Sequence, residues 1–206
     1  MAAPLGYARR PNMTCIVGLV HRGTVYVGGD SASVQGWTSR VTRLPKVFRV
    51  GPFLIGYTTS FRMGQLLQYG LTVRMRRPDE GEMDFMVTEF AERVRLLLKE
   101  RGVAKVEANA ESGGQFLVGY HGRLFSVQQD FQVNEMADGY DAVGSGAEYA
   151  LGALKALDRS PPAVRLRRAL EVSAHFNMGV SAPFYIKSIR PAPGRATRKP
   201  GTRSRA

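Results

Sequence analysis

Residues 13–46 read MTCIVGLVHRGTVYVGGDSASVQGWTSRVTRLPK, and this stretch decides the fold. Two β-rich runs, TCIVGLVH and TVYVGGD, flank Arg22-Gly23, a two-residue connection of the tight-hairpin kind. The hairpin opens its first strand at Thr14 and delivers Asp30 to the end of its second. Lys46 then begins another β-like run, KVFRV. A threonine, a carboxylate and an ammonium thus recur at equal spacing, each beside a strand terminus.

Those three groups make chemical sense together. A threonine hydroxyl is a poor nucleophile unless a base takes its proton, and one solution uses the residue's own α-amine. Such an amine titrates at about 7.7–8.0, so much of it is neutral at physiological pH. A lysine beside the hydroxyl favours the alkoxide. A buried lysine in turn needs a carboxylate, because desolvation pushes it toward its neutral form.

Thr14, Asp30 and Lys46, with the strand text around them, resemble the start of a proteasome β-subunit or its bacterial HslV-type relative, both N-terminal-nucleophile (Ntn) hydrolases. The similarity resumes at DAVGSGAEYALGALKAL, Asp141 to Leu157, which is similar to the family's Gly-Ser-Gly turn and following helix. The resemblance implies an α+β fold: a four-layer αββα sandwich, two antiparallel sheets with helices outside. It implies Thr14 as nucleophile, Lys46 lowering the hydroxyl pKa, Asp30 orienting Lys46, and Ser145 beside them, flanked by Gly144 and Gly146. The family's oxyanion-hole glycine falls near Thr58 or Thr59. Where the family carries an Asp and, three residues on, a Ser after its last long helix, this chain has Asn177 and Val180, with Ser181 one position further.

At 206 residues with 44% hydrophobic side chains, the chain fits one domain with a real core. A single cysteine, Cys15, excludes a disulfide framework and fits a reducing compartment. MAAPLGYARRPNM has no sustained apolar run and is no signal peptide, and no later run is long enough to span a bilayer. A cytoplasmic location follows as the expectation. The formal net charge is +12, and Arg190, Arg195, Arg198, Lys199, Arg203 and Arg205 supply six of those charges. Residues 191–206 are rich in Pro, Gly and Arg and are read as a disordered basic tail. A nucleic-acid arm is the weaker reading, since no aromatic residue is interleaved for base stacking.

The domain is read as 14–190. After the hairpin and a loop over Gly36 to Arg43, KVFRV and FLIGYT flank Gly51-Pro52 as strands. SFRMGQLLQYGL predicts a helix capped by Ser60, with Met63, Leu66, Leu67 and Leu71 inward. A longer helix follows from about Met83 to Arg101, stopped by Gly102. QFLVGYH and RLFSVQQ form a hairpin around Gly122, and YDAVG approaches Gly144 as a strand. A helix opening at Ser145 or Gly146 runs through Tyr149, Leu151, Leu154 and Leu157; another runs from Pro161-Pro162 to about Phe176. PFYIKSI is the last strand.

Competing readings of the site residues are weaker. Cys15 follows Thr14 on a strand and so faces the opposite side, as a core thiol. Ser145 lacks the glycines of a G-x-S-x-G elbow, so it is a helix N-cap, a polar group beside the nucleophile, or both. GSGAEY is no dinucleotide turn, because Tyr149 stands where a small residue is required.

The resemblance implies a threonine endopeptidase acting through an acyl-enzyme ester, without metal or organic cofactor. Its oxyanion and substrate contacts would come from Thr59, Gly144, Gly146, Asn177 and Ser181. The implied partners are further copies of the chain in stacked rings, unfolded polypeptide substrates and a ring ATPase. A catalytically silent ring or shell subunit and a small-molecule amidohydrolase are the alternatives. Residues 1–13 are expected to be a propeptide, removed by attack of Thr14 on the Met13 carbonyl, or to precede a true start at Met13, whose removal also exposes Thr14.

Overall fold

The computed structural model describes residues 13–35, 38–107 and 110–191. The leader reading, apart from Met13, and the tail reading, apart from Pro191, lie outside the described residues.

β1 (Ile16–His21) and β2 (Thr24–Gly29) form the predicted hairpin. Arg22 and Gly23 both take positive φ, 49° and 69°, the twist a two-residue loop needs. β3 (Ala32–Gln35) and β4 (Thr38–Val41) pair across a stretch read above as a loop. All of β4 is exposed, so it has no buried face and no hydrophobic alternation to announce it. β5 (Val47–Val50) and β6 (Phe53–Tyr57) are the second predicted hairpin.

α1 (Phe61–Gly70) is capped as expected: the Ser60 hydroxyl accepts from the Met63 N–H, and Met63, Leu66, Leu67 and Leu71 are buried. α2 (Glu82–Phe85) continues through one π turn, Met86–Phe90, into α3 (Ala91–Glu100). The sequence gives no sign of that turn; its result is that Phe85, Met86, Phe90, Val94 and Leu98 are all buried. A small hairpin, β7 (Lys105–Glu107) with β8 (Ala110–Ser112), follows; none of its strand residues is buried, so no hydrophobic alternation announces it. β9 (Phe116–Tyr120), β10 (Arg123–Val127) and the short β11 (Val133–Asn134) come next, then β12 (Tyr140–Val143).

α4 (Ala147–Ala156) starts after Gly146, so Ser145 is not its N-cap. Its buried residues are Ala150 and Leu154, whereas Tyr149 is 42% exposed. α5 (Pro162–Phe176) and β13 (Tyr185–Ile189) complete the fold. No helix among the described residues is long and apolar enough to cross a membrane.

The architecture is α+β. One antiparallel sheet has the order β12-β1-β2-β13, the other β11-β10-β9-β6-β5. Three apolar clusters hold it together. Phe53, Phe85, Phe90, Phe116 and Tyr120 belong to a cluster joining α1 and α3 to the five-stranded sheet. Within it the rings of Phe53 and Phe90 lie 4.7 Å apart and those of Phe53 and Tyr120 4.8 Å, so a truncation such as Phe90→Ala costs about 3–5 kcal/mol. Cys15, Val17, Leu154, Leu166 and Leu170 join α4 and α5 to the four-stranded sheet. Ile16, Val27, Val47, Leu54, Leu117 and Val143 link strands of both sheets.

Ile16 and Val17 therefore serve opposite faces of β1, as strand geometry requires. The approach of the sheets is close. A Cβ on Gly56 would stand 2.6 Å from Ile16 Cγ2 and 2.7 Å from Val27 Cγ1. That proximity brings the start of β1 to the start of β5, and with them the residues flanking each.

Candidate active site

Thr14 lies just before β1 and Asp30 just after β2, and the register Ile16↔Gly29 puts them at one end of the hairpin. Lys46 lies just before β5, its carbonyl held by the Tyr57 N–H at 3.0 Å. Three sequence-distant groups thus meet where the two sheets approach. Lys46 Nζ donates to Thr14 Oγ1 at 2.7 Å and to Asp30 at 3.1 Å (Oδ1) and 3.0 Å (Oδ2). Asp30 also accepts from the backbone N–H groups of Cys15 (3.0 Å) and Ala32 (2.8 Å). Its carboxylate is saturated by donors and is fully buried; Lys46 is 2% exposed and Thr14 6%.

Burial pushes the Asp30 carboxyl up and the Lys46 ammonium down, against the attraction between them. The Phe61 ring covers Lys46 at 5.8 Å and adds a cation–π contact. Its place beside the lysine could not be read from α1 alone. An ammonium so placed, desolvated and bonded to the hydroxyl, can lower that hydroxyl's pKa and exchange a proton with it.

On the other side, the Thr14 N–H donates to Ser145 Oγ at 3.3 Å, and Ser145 Oγ stands 3.4 Å from both Thr14 O and Asn177 Oδ1. Asn177 Nδ2 donates to the Ser145 carbonyl at 2.8 Å, and its Oδ1 accepts from the Gly179 N–H at 2.9 Å. Asn177 therefore sits where a polar partner of Ser145 is wanted, as a neutral amide. Ser181 is held differently: its carbonyl accepts from the Ser31 N–H at 3.1 Å, and no hydrogen bond among the described residues brings its hydroxyl to Thr14.

Gly144 has φ 101°, a conformation for glycine, and a Cβ there would fall 2.3 Å from Thr14 O. Gly146 donates its N–H to Thr14 O at 3.2 Å, so the turn before α4 grips the threonine backbone. Thr59 lies beyond β6 with φ 73°, the left-handed region a glycine would occupy at no cost. Its hydroxyl accepts from the Gln115 N–H at 3.1 Å, a partner that carries no sequence signal.

Thr14 Oγ1 donates to Met13 O at 2.6 Å. The Met13 side chain lies on Gly179, where an added Cβ would fall 2.2 Å from Met13 Cβ. Cys15, by contrast, turns away from the site. Its thiol is buried against Ser173 Oγ at 3.5 Å, and burial pushes its pKa up to about 12, so it is no rival nucleophile.

No family model and no curated protein matches this sequence. Solved structures do. The chain is similar to BPH of Thiobacillus denitrificans in complex with epoxomicin, at 21% identity and TM-score 0.73 over 87% of this chain and 100% of that one. BPH without that ligand matches at 20% identity and TM-score 0.74, over the same shares. HslV of Trypanosoma brucei matches at 18% identity and TM-score 0.62, over 86% of this chain and 99% of that one. The architecture built above is therefore the fold seen in BPH and in HslV.

Proposed function

We propose that this protein is a proteasome-like threonine endopeptidase whose nucleophile is Thr14 once its amine is free. The observation that carries the reading is the 2.7 Å contact between Lys46 Nζ and Thr14 Oγ1, backed by Asp30 at 3.0 Å. The three apolar clusters support the four-layer αββα stacking, and the reacting domain is 14–190. Residues 1–13 are then either a propeptide or lie upstream of the true start.

In the reaction, Thr14 Oγ adds to a peptide carbonyl as its proton passes to the α-amine. The C–N bond then breaks, and that proton leaves with the departing amine. Water next attacks the acyl-enzyme ester, releasing a carboxylic acid and restoring the hydroxyl. Lys46 stabilises the developing alkoxide, and Ser145, tied to Asn177, holds the amine in place. Gly144 and Gly146 fix the threonine backbone, and the Thr59 N–H serves as oxyanion donor. A positioned base is worth about 10²–10⁴ in rate and an oxyanion donor about 10²–10³.

Confinement is what makes such a site safe in a cytoplasm, so the working form is a self-assembled ring enclosing unfolded polypeptide, fed by a ring ATPase. The test is fluorogenic-peptide turnover by protein beginning at Thr14, compared with Thr14→Ala at the same assembly size. Loss of turnover in the variant supports the reading. Equal rates in both would favour a silent shell subunit, the role to which a neutral Asn177 and a withdrawn Ser181 also point. Turnover of simple amides without any peptide cleavage would redirect the reading to a small-molecule amidohydrolase.

A further inference from the structure

Of the non-glycine residues at positive φ among the described residues, Arg22 and His121 each stand beside a glycine in tight hairpins, and Phe131 lies in a loop. Thr59, at φ 73°, is the β-branched one. A β-branched side chain in this region is a real outlier, and such strain costs about 1–3 kcal/mol unless the surroundings over-determine it.

They do. Thr58 Oγ1 donates to the Gln115 carbonyl at 3.1 Å. A hydroxyl has one proton, so the 2.9 Å contact between Thr58 Oγ1 and Thr59 Oγ1 is a bond donated by Thr59. Thr59 Oγ1 in turn accepts from the Gln115 N–H at 3.1 Å, which closes the ring. The Thr58 N–H also bonds the Gln115 carbonyl at 3.0 Å, and the Ser60 N–H bonds the Thr58 carbonyl at 2.8 Å. The Thr58 N–H, the Thr58 carbonyl and both hydroxyls are thereby used, while the Thr59 N–H has no acceptor among the described residues. The fit is tight: a Cβ on Gly114 would stand 2.8 Å from Thr59 Cβ and 2.6 Å from Met63 Sδ. The turn also touches the nucleophile's support, because a Cβ on Gly144 would meet Thr58 Cγ2 at 3.2 Å and the Thr14 carbonyl carbon at 3.0 Å.

We propose that the two hydroxyls of Thr58 and Thr59, closed on the backbone of Gln115, form a clamp that does the work of a glycine. The clamp holds Thr59 left-handed and keeps its N–H free for the oxyanion that develops beside Thr14. Thr58 and Thr59 are positioning residues through their side chains; the donor is the Thr59 backbone. This inference rests on the peptidase reading and specifies how that reading's oxyanion donor is held.

The test uses two substitutions in assembled, Thr14-exposed protein, assayed well below the thermal midpoint of each. Thr59→Val keeps the branched shape and removes the clamp; Thr59→Gly removes the clamp and the strain together. The clamp predicts a kcat loss of about 10²-fold in Thr59→Val, the size of a small misplacement at a reacting centre, with KM little changed. It predicts return toward the parent kcat in Thr59→Gly. Parent-like kcat in Thr59→Val, or equal impairment of both variants, overturns the clamp while leaving the peptidase reading intact. A parent protein that turns over no peptide fails at the earlier step and removes the oxyanion role with it.

Discussion

Two ion clusters in this molecule look alike on a distance scale and behave in opposite ways. On the surface, Arg74 grips Glu80 through two bonds of 2.6 and 2.8 Å and reaches Glu89 at 3.1 Å. The Arg74 guanidinium holds the Glu80 carboxyl down at about 2, and its own pKa is raised in return. Each charge is favoured by the other. At the sheet junction, Asp30 and Lys46 are equally close, but burial pushes the carboxyl up and the ammonium down. Each charge there is held against its environment.

The signs follow from linkage. Glu80, depressed in the folded state, contributes stability above its unfolded value of 4.5 that is lost as pH falls toward about 2. Asp30, raised, contributes at low pH a stability that is lost as pH rises through its folded value. Lys46, lowered from 10.5, contributes above that value a stability that is lost as pH falls through its folded one. Where both groups are ionised, the inner pair opposes folding. A buried ion pair is weak evidence for stability, and its retention here is explained by the hydroxyl it touches.

The contrast can be broken most sharply at Lys46. Lys46→Met should reduce peptide turnover to background and lower unfolding free energy by about 3–5 kcal/mol, because Asp30 is left buried without its counter-charge. Denaturant titration and turnover assays check the two halves. Asp30→Asn combined with Lys46→Met should recover much of that stability while turnover stays at background. Recovery of both together would remove the distinction between stability and chemistry.

Ser145→Ala should lower kcat about 10–100-fold, the worth of a hydrogen bond to an ionising group at about 1.5–3 kcal/mol, with the fold unchanged. The parent rate should rise with pH through the α-amine, at about 7.7–8.0 or lower, since the amine acts in its neutral form. A flat profile over that window would take the base role from it. The smallest effect belongs to the surface: Glu80→Gln should leave turnover unchanged and produce only a slight, salt-sensitive fall in thermal midpoint.

Sequence patterning carried most of the fold because the elements around the site have one buried face. The hairpin at Arg22-Gly23, the Ser60 cap and the α5 start at Pro161-Pro162 all announce themselves through turn or cap chemistry. β4 and the β7–β8 hairpin did not, since nothing in them is buried. The π turn at Met86–Phe90 is a backbone adjustment with no residue type of its own. Tyr149, within α4, stacks on Phe176 at 5.4 Å and stays exposed, a pairing that spacing along one helix does not announce.

At the site, Thr14, Asp30 and Lys46 were legible through the chemistry the three groups share and the resemblance they carry. Gln115 was not, because it acts through its backbone. Phe61 was legible only as a helix residue. The neutral Asn177 could be read as a departure from the resemblance, but its bond to the Ser145 carbonyl depends on the turn after α5.

The central claim is that a freed threonine amine and its own hydroxyl form one reacting unit beside the Asp30–Lys46 pair. A peptide epoxyketone tests it directly, since its ketone carbon and epoxide carbon can take up one nucleophile each. Assembled protein beginning at Thr14 is treated with the reagent and its N-terminal peptide weighed by mass spectrometry. The account predicts one inhibitor added to Thr14, and none in Thr14→Ala. An unmodified Thr14 in folded, assembled, amine-exposed protein would contradict it.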